Sequence, residues 1–293
     1  MILTNLSLVS VIIPIHNGKR DTIACLKSLT NLSYPRHMLE IIIVDNHSSD
    51  GSASYIKKNY PQINILSLDT NNGFAKAVNK ALRIAKGSYF FLVNNDVILE
   101  KNYLQLLLTF MEQDPTIGIA GGKIYSQITN TISFCGNTFN PWTGAIQKLP
   151  KPNVVKESQW IEGSSMLIKK SVVKKIGFFD PAYFYTFEDV DFCLRAREKG
   201  FKVMYYPKAI AWHKEAATID RFGQDAKASE LYKAKFYYIF HHCSLPQILS
   251  STLWQFLFIL PIRKFFKKTP YFAIRPMIAS YWYNLKLLLK SKL

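Results

Sequence analysis

Cysteine is sparse and scattered. Cys25, Cys135, Cys193 and Cys243 form no CxxC pair and no other metal-binding spacing. That argues against a disulfide framework or a structural zinc site and predicts reduced, buried thiols. Acidic residues are few, 20 Asp/Glu against 37 Lys/Arg, for a formal net charge of +17. No long stretch has disordered composition, and no repeat or low-complexity tract is present. Glycine is thin where a phosphate-cradling loop needs it: "IPIHNGKRD", after the first apolar run, holds a single one. The N-terminal "MILTNLSLVSVIIPIHN" lacks a basic start and a small-residue cleavage site, so no signal peptide is expected.

The basic excess is uneven. From Leu231 to Leu293 there are ten Lys/Arg and no Asp/Glu, leaving +7 for the preceding 230 residues. Within this tail, Leu245–Ile262 carries no charge and is at the minimum for a membrane span. It contains two Pro and two Gln, and its flanks "RKFFKK" and "YWYNLKLLLKSKL" interleave basic and aromatic residues. That interleaving favours helices lying in the plane of an anionic membrane surface over a true span. A helix-rich subdomain packed on the rest of the chain or on a second subunit of an oligomer is the structural alternative.

The first 96 residues alternate apolar strands with helical patterns. "VSVIIPI", "LEIIIVD", "INILSL" and "SYFFLVNND" are expected strands, and "DTIACLKSL" and "FAKAVNKALRIAKG" expected helices, the latter closed by Gly87. This is the βαβ signature of an open, mostly parallel sheet, whose ligands bind beyond the carboxyl ends of the strands. Pro14–Asn17, Asp45–Asn46, Asn71–Gly73 and Asn94–Asp96 all fall there. Further on, Glu100–Asp114 suits a helix and Ile117–Ile124 a strand. Ser126–Ser158, rich in Gly and Pro, suits a long loop or hairpin. "WIEGSSMLIKK" suits a strand, "EDVDFCLRAREKG" a helix, and "KVMYYP" and "AIAWH" two short closing strands.

Several of these residues carry chemistry. An ionised Asp45 only accepts hydrogen bonds and would suit a ring imide N–H; it would equally cap the next turn. In "NND", Asp96 is presented where a buried strand becomes a loop, a fit for Mg²⁺ or Mn²⁺ and equally for a turn. Glu188, Asp189 and Asp191 crowd within four residues, beyond what a helix start requires. His213 ends an apolar strand; imidazole there would complement oxygen donors around a divalent metal.

Taken in order, "VSVIIPIHN", "IIIVDNHSSDGS", "NNGFAKAVNKAL", "FLVNND", "EGSSMLIKK", "GFFDPAYFYTFEDVDFCLRAREKGF" and "AWH" resemble the inverting glycosyltransferases of family 2, in their rhamnosyltransferase-like branch. The resemblance spans about Val9 to His213. It implies a GT-A-like α/β fold: an open mixed sheet, Rossmann-related and flanked by helices. The catalytic domain would cover 1–220, with a nucleotide-sugar half over about 1–98 and an acceptor half over about 99–220. Residues 221–293 would form the helical, membrane-associating tail.

The resemblance also assigns roles. Pro14, His16, Asn17, Asp45, Asn72, Gly73, Asn94 and Asn95 would bind the nucleotide sugar. His16 stands where the family usually has Tyr or Phe, and Asn94 where many members have an acid. Asp96 and His213 would ligate Mn²⁺ or Mg²⁺. Asp189 would be the catalytic base, with Glu188 beside it. Trp160, Glu162 and Asp191 would meet the acceptor. The implied reaction moves a sugar, with L-rhamnose a possibility, from a dTDP or UDP donor to a glycan or lipid-linked saccharide. It would run at the inner face of the plasma membrane, in cell-surface polysaccharide synthesis.

Rival readings keep the same clusters. A nucleotidyltransferase would need the metal acid too, but also a Gly-rich loop near the first strand. A nucleic-acid-binding protein would use the basic tail, against which its uncharged apolar stretch argues. Asn94 in place of an acid leaves room for a transferase that has lost activity.

Overall fold

Strand β1 (Val9–Ile15) is buried at every position except the half-buried Pro14. Val9, Val11, Ile13 and Ile15 enter one hydrophobic core and Ile12 enters the other. A strand alternating at period two between two cores must lie inside a sheet covered on both faces. The computed structural model, which describes residues 6–214, 224–259 and 274–291, has that sheet.

The chain continues through α1 (Lys19–Thr30), β2 (Leu39–Asp45), α2 (Ser52–Asn59), β3 (Asn64–Ser67), α3 (Phe74–Ile84) and β4 (Tyr89–Val93). Next come β5 (Val97–Leu99), α4 (Tyr103–Glu112), β6 (Ile117–Ser126), β7 (Ile132–Phe134), β8 (Asn137–Asn140) and β9 (Ala145–Lys148). The sheet portion closes with β10 (Lys156–Glu157), β11 (Ser165–Lys169), α5 (Lys170–Ile176), α6 (Glu188–Glu198) and β12 (Lys202–His213).

The main sheet runs β3-β2-β1-β4-β11-β6-β12-β10, with β5 added to β12 and β7 to β6. β3, β2, β1 and β4 are parallel. β11 is antiparallel to both β4 and β6, which makes the sheet mixed. The order reverses between β1 and β4, the switch point at which open α/β sheets bind ligands. On one face pack α1 and α4, and on the other α3 and α6. α3 reaches the sheet closely because its buried stripe is small: Ala75, Ala77, Val78 and Ala81.

Two local expectations need correction. Gly87 does not close α3, which ends at Ile84 with Ala85 already extended. Gly87 lies against β1 instead, where a Cβ would stand 2.6 Å from the Ser10 amide nitrogen. "KVMYYP" and "AIAWH" are one strand, β12, with a register shift between Tyr205 and Ile210 that absorbs Pro207. The region 126–158 contains a hairpin, one of the two forms its Gly and Pro content suits. It holds β7 and a separate antiparallel hairpin, β8–β9, and a single bridge from Asn137 to Trp160 closes the excursion.

The C-terminal helices α7 (Gln224–His242), α8 (Leu245–Trp254) and α9 (Ile274–Ser291) form a layer docked on the sheet portion. Phe236, Tyr238, Ile239 and Ile248 join the core shared with α3 and α6. α9 packs on α7, with Asn284 Nδ2 donating to the Lys233 carbonyl at 3.1 Å. Among the described residues no helix is long and apolar enough to cross a membrane. The basic run "RKFFKK" lies outside the described residues.

Candidate active site

Two adjoining hollows open along the carboxyl edge of the sheet. The first, about 190 Å³, is bordered by Pro14, His16, Asn46, Asn71, Gly73, Asn94, Asp96, Phe184 and His213. The second, about 430 Å³, is bordered by Asn137, Trp160, Glu162, Gly163, Ser164, Glu188 and Asp189. Phe74, Asn94, Tyr185 and His213 line both.

The loop after β1 turns through Asn17 and Gly18, both left-handed (φ 62° and 88°). Asn tolerates that region better than other side-chain-bearing residues. Asn17 Oδ1 accepts from the Ser49 amide at 2.8 Å, and its own amide donates to Ser48 Oγ at 2.8 Å. Asn17 thus ties the β1 loop to the β2 loop and does not border either hollow. His16 does, with Nδ1 donating to the Asn46 carbonyl at 2.9 Å.

Asp45 is 6% exposed at the end of β2, where Oδ1 accepts from the Ser48 amide at 3.0 Å. Its neighbour Asn46, placed at the strand end by the sequence but given no role there, borders the first hollow. Asn46 Nδ2 donates to Asn71 Oδ1 at 2.8 Å and to the Gly73 carbonyl at 3.2 Å, and Oδ1 accepts from the Asn72 amide at 2.8 Å. One buried amide thereby fixes the loop before α3. Asn72 faces outward with Nδ2 on the Thr70 carbonyl, so Asn71 takes the cleft position expected of it. Gly73 (φ 78°) touches the strap over the cleft, since a Cβ there would stand 2.3 Å from the Phe184 carbonyl oxygen.

At the end of β4, Asn95 donates to the Asn17 carbonyl at 3.2 Å and to Thr22 Oγ1 at 3.0 Å, anchoring the turn to α1. Asp96 follows. β5 pairs antiparallel with β12, setting Val97 opposite His213. That register brings His213 Nε2 to 3.1 Å from Asp96 Oδ1. Among the described residues no cluster of three or more His, Cys, Asp or Glu surrounds this point. One carboxylate and one imidazole still fit a Mn²⁺ or Mg²⁺ whose remaining positions go to water and phosphate oxygens.

α6 begins after Thr186 and Phe187, both at positive φ (68° and 66°). This tight entry turns Glu188 and Asp189 towards the second hollow. Asp189 Oδ2 accepts from the Gly163 amide at 3.1 Å and Oδ1 from the Val190 amide at 2.8 Å. Burial outweighs these bonds and pushes the Asp189 carboxyl up to about 6. Burial and the neighbouring Asp189 raise Glu188 well above the usual carboxylate range. Glu188 Oε2 and Ser164 Oγ are buried with no hydrogen-bond partner among the described residues.

Asp191 does not meet the acceptor hollow, contrary to expectation. The helical twist carries it to the far side of α6, where Oδ2 pairs with Arg195 at 2.7 Å and Oδ1 with His242 Nε2 at 2.8 Å. Burial pushes its carboxyl up, but the His242 hydrogen bond and the Arg195 charge prevail and hold it below the usual range. Trp160 and Glu162 border the second hollow, Trp160 with most of its ring in the core.

The sequence signature of Glycosyl transferase family 2 matches residues 10–177. A probable glycosyltransferase, YdaM of Bacillus subtilis, is 25% identical over 218 residues, 72% of this chain and 51% of that protein. The chain thus spans about half the length of that relative. The N-acetylglucosaminyl-diphospho-decaprenol L-rhamnosyltransferase of Mycobacterium tuberculosis is 25% identical over 211 residues, 62% of this chain and 69% of that one. Among solved structures, the mannosyltransferase PcManGT of Pyrobaculum calidifontis, in complex with GDP-Man and Mn²⁺, superposes with a TM-score of 0.60. It is 16% identical, with 96% of this chain and 88% of that chain covered. TarS of S. aureus with UDP-GlcNAc gives 0.62 at 17% identity, covering 93% and 79%. The fold is that of the GT-A glycosyltransferases, and the chain belongs to glycosyl transferase family 2.

Proposed function

We propose that the chain is a metal-dependent inverting transferase. It moves a sugar, L-rhamnose on the branch resemblance, from a dTDP or UDP donor to a hydroxyl of a glycan or lipid-linked saccharide. The observation that carries this reading is the common wall of the two hollows. His213 is part of that wall, with Asp96 on the side of the first hollow and Asp189 on the side of the second. Donor phosphates in the first hollow would present the anomeric carbon to an acceptor in the second.

Asp189 takes the proton of the acceptor hydroxyl as that oxygen attacks the anomeric carbon. The bond to the diphosphate breaks on the opposite face, and the configuration inverts. A carboxyl raised to about 6 is still mostly ionised at neutral pH and is a stronger base than an ordinary Asp. Asp96 and His213 would hold Mn²⁺ or Mg²⁺, whose chemistry is to stabilise charge on the leaving diphosphate. Asp45 would accept the imide N–H of uracil or thymine. Trp160 and Glu162 would meet the acceptor sugar.

The mycobacterial relative's name specifies rhamnosyl transfer to a lipid-diphosphate saccharide, which supports such an acceptor here. The poly-β-1,6-N-acetyl-D-glucosamine synthase of Staphylococcus epidermidis, 25% identical over 70% of this chain, supports cell-surface polysaccharide synthesis. The basic tail would hold the enzyme at the inner face of the plasma membrane. Calorimetry with UDP, dTDP, GDP and CDP, with and without Mn²⁺, tests the donor site. Metal-dependent binding of a pyrimidine diphosphate, lost in Asp45→Ala, is expected. Folded protein that binds no nucleotide under either condition overturns the reading.

A further inference from the structure

α8 presents an apolar ridge to solvent. Leu245, Leu249 and Leu253 recur every four residues, and the π-helical turn Gln255–Ile259 adds Leu257. Each of the four is more than half exposed. α8 carries no charged residue, so nothing on the helix breaks the ridge. The tip of the β8–β9 hairpin is tied to this helix. Ser250 Oγ donates to the Trp142 carbonyl at 2.9 Å, and Gln255 Nε2 donates to the Thr143 carbonyl at 2.7 Å. Trp142, itself about half exposed, therefore extends the ridge from a distant part of the chain. The same hairpin supplies Ile146 to the hollow that holds Asp189.

We propose that the α8 ridge and the hairpin tip form one lipid-facing surface that seats the enzyme on an anionic phospholipid bilayer, with the acceptor hollow opening beside it. Exposed leucines at one helical face bury in the headgroup–acyl boundary, and Trp favours the same depth. Charge selects the occupant. The stretch from Leu231 to Leu293 has ten basic residues and no acid, so an anionic surface complements it. A second copy would carry the same basic stretch, and like charge disfavours it as the occupant. A sugar carried on a lipid would then reach Asp189 without leaving the membrane. That consequence rests on the transferase reading above; the surface itself does not.

The test is flotation of the full chain with vesicles. Phosphatidylglycerol-containing vesicles are compared with pure phosphatidylcholine, for wild type, Leu249→Gln/Leu253→Gln and Trp142→Ala. Wild type should float with the anionic vesicles. The double variant should lose about tenfold or more in partitioning, with Trp142→Ala intermediate. Both variants should keep the wild-type melting temperature and wild-type nucleotide binding, which separates this result from failure of the donor site. Wild-type flotation by the double variant overturns the proposal. So does a wild-type dimer, insensitive to vesicles, that the double variant converts to monomer.

Discussion

His213 Nε2 lies 3.1 Å from Asp96 Oδ1, and a three-residue strand pairing holds them there. The contact joins the turn after β4 to the end of β12, two segments far apart in the sequence. His213→Ala should weaken Mn²⁺-dependent nucleotide binding by about tenfold or more, on the scale of losses seen around metal sites. Metal-free binding should change little. Titration calorimetry with and without Mn²⁺ separates the two.

Asp189→Asn should lower turnover by about 10²–10⁴, the range for loss of a general base. The amide keeps the shape and carries no charge that burial opposes. The variant should therefore be as stable as wild type or more so, by about 1 kcal/mol. Turnover and urea unfolding on the same preparation test both halves.

The rate should depend on pH through the same group. As a base, Asp189 must be ionised, so kcat/KM should fall as pH drops below about 6, approaching tenfold per unit. Stability should move the other way. The folded carboxyl binds its proton more tightly than the unfolded one, so this group's contribution is fullest below the unfolded value. It is lost as pH rises through about 6. Replacing Asp189 by Asn should flatten both profiles in that window.

Asp191 works in the opposite sense. Its folded carboxyl lies below the usual range, so the stability it provides is present above the unfolded value and lost as pH falls through the folded one. Because it joins α6 to α7 through His242, His242→Ala should cost about 1–3 kcal/mol. Nucleotide binding should be spared, since neither residue borders the first hollow. Urea denaturation followed at acid and neutral pH provides the comparison.

Gly73→Ala should be damaging out of proportion to one methyl group. The residue is left-handed, and the new Cβ would overlap the Phe184 carbonyl. A loss of about 1–3 kcal/mol is expected from the backbone alone. The strap carrying Phe184 and Tyr185 must also move, so donor affinity should fall with stability.

The parallel half of the fold was legible because period-two burial and strand-end polarity are local signals. β1, β2, β3 and β4 stand where their apolar runs predict. The clusters Pro14–His16 and Asn94–Asp96 meet because strand order brings them together. What remained hidden depends on partners far along the chain. Nothing local shows that Pro207 falls in a bulge of one continuous strand, or that Asn46 rather than Asp45 stitches the cleft. Asp191 looks like a third site acid in one dimension. Only the helical rotation and the arrival of His242 turn it into a structural pair. A clue to Asn46 did exist: a polar residue following a buried strand and due to be buried itself must find amide-sized partners.

The bridge between Asn137 and Trp160 has an evolutionary consequence. It brings together the two ends of the excursion that contains the β8–β9 hairpin, and of what lies between only the two-residue β10 joins the main sheet. Such a segment is a cassette. The hairpin lends Ile146 to the hollow of Asp189, while nothing between Asn137 and Trp160 borders the first hollow. Under the function proposed above, changes in this segment would retune which partner receives the sugar independently of which sugar is given.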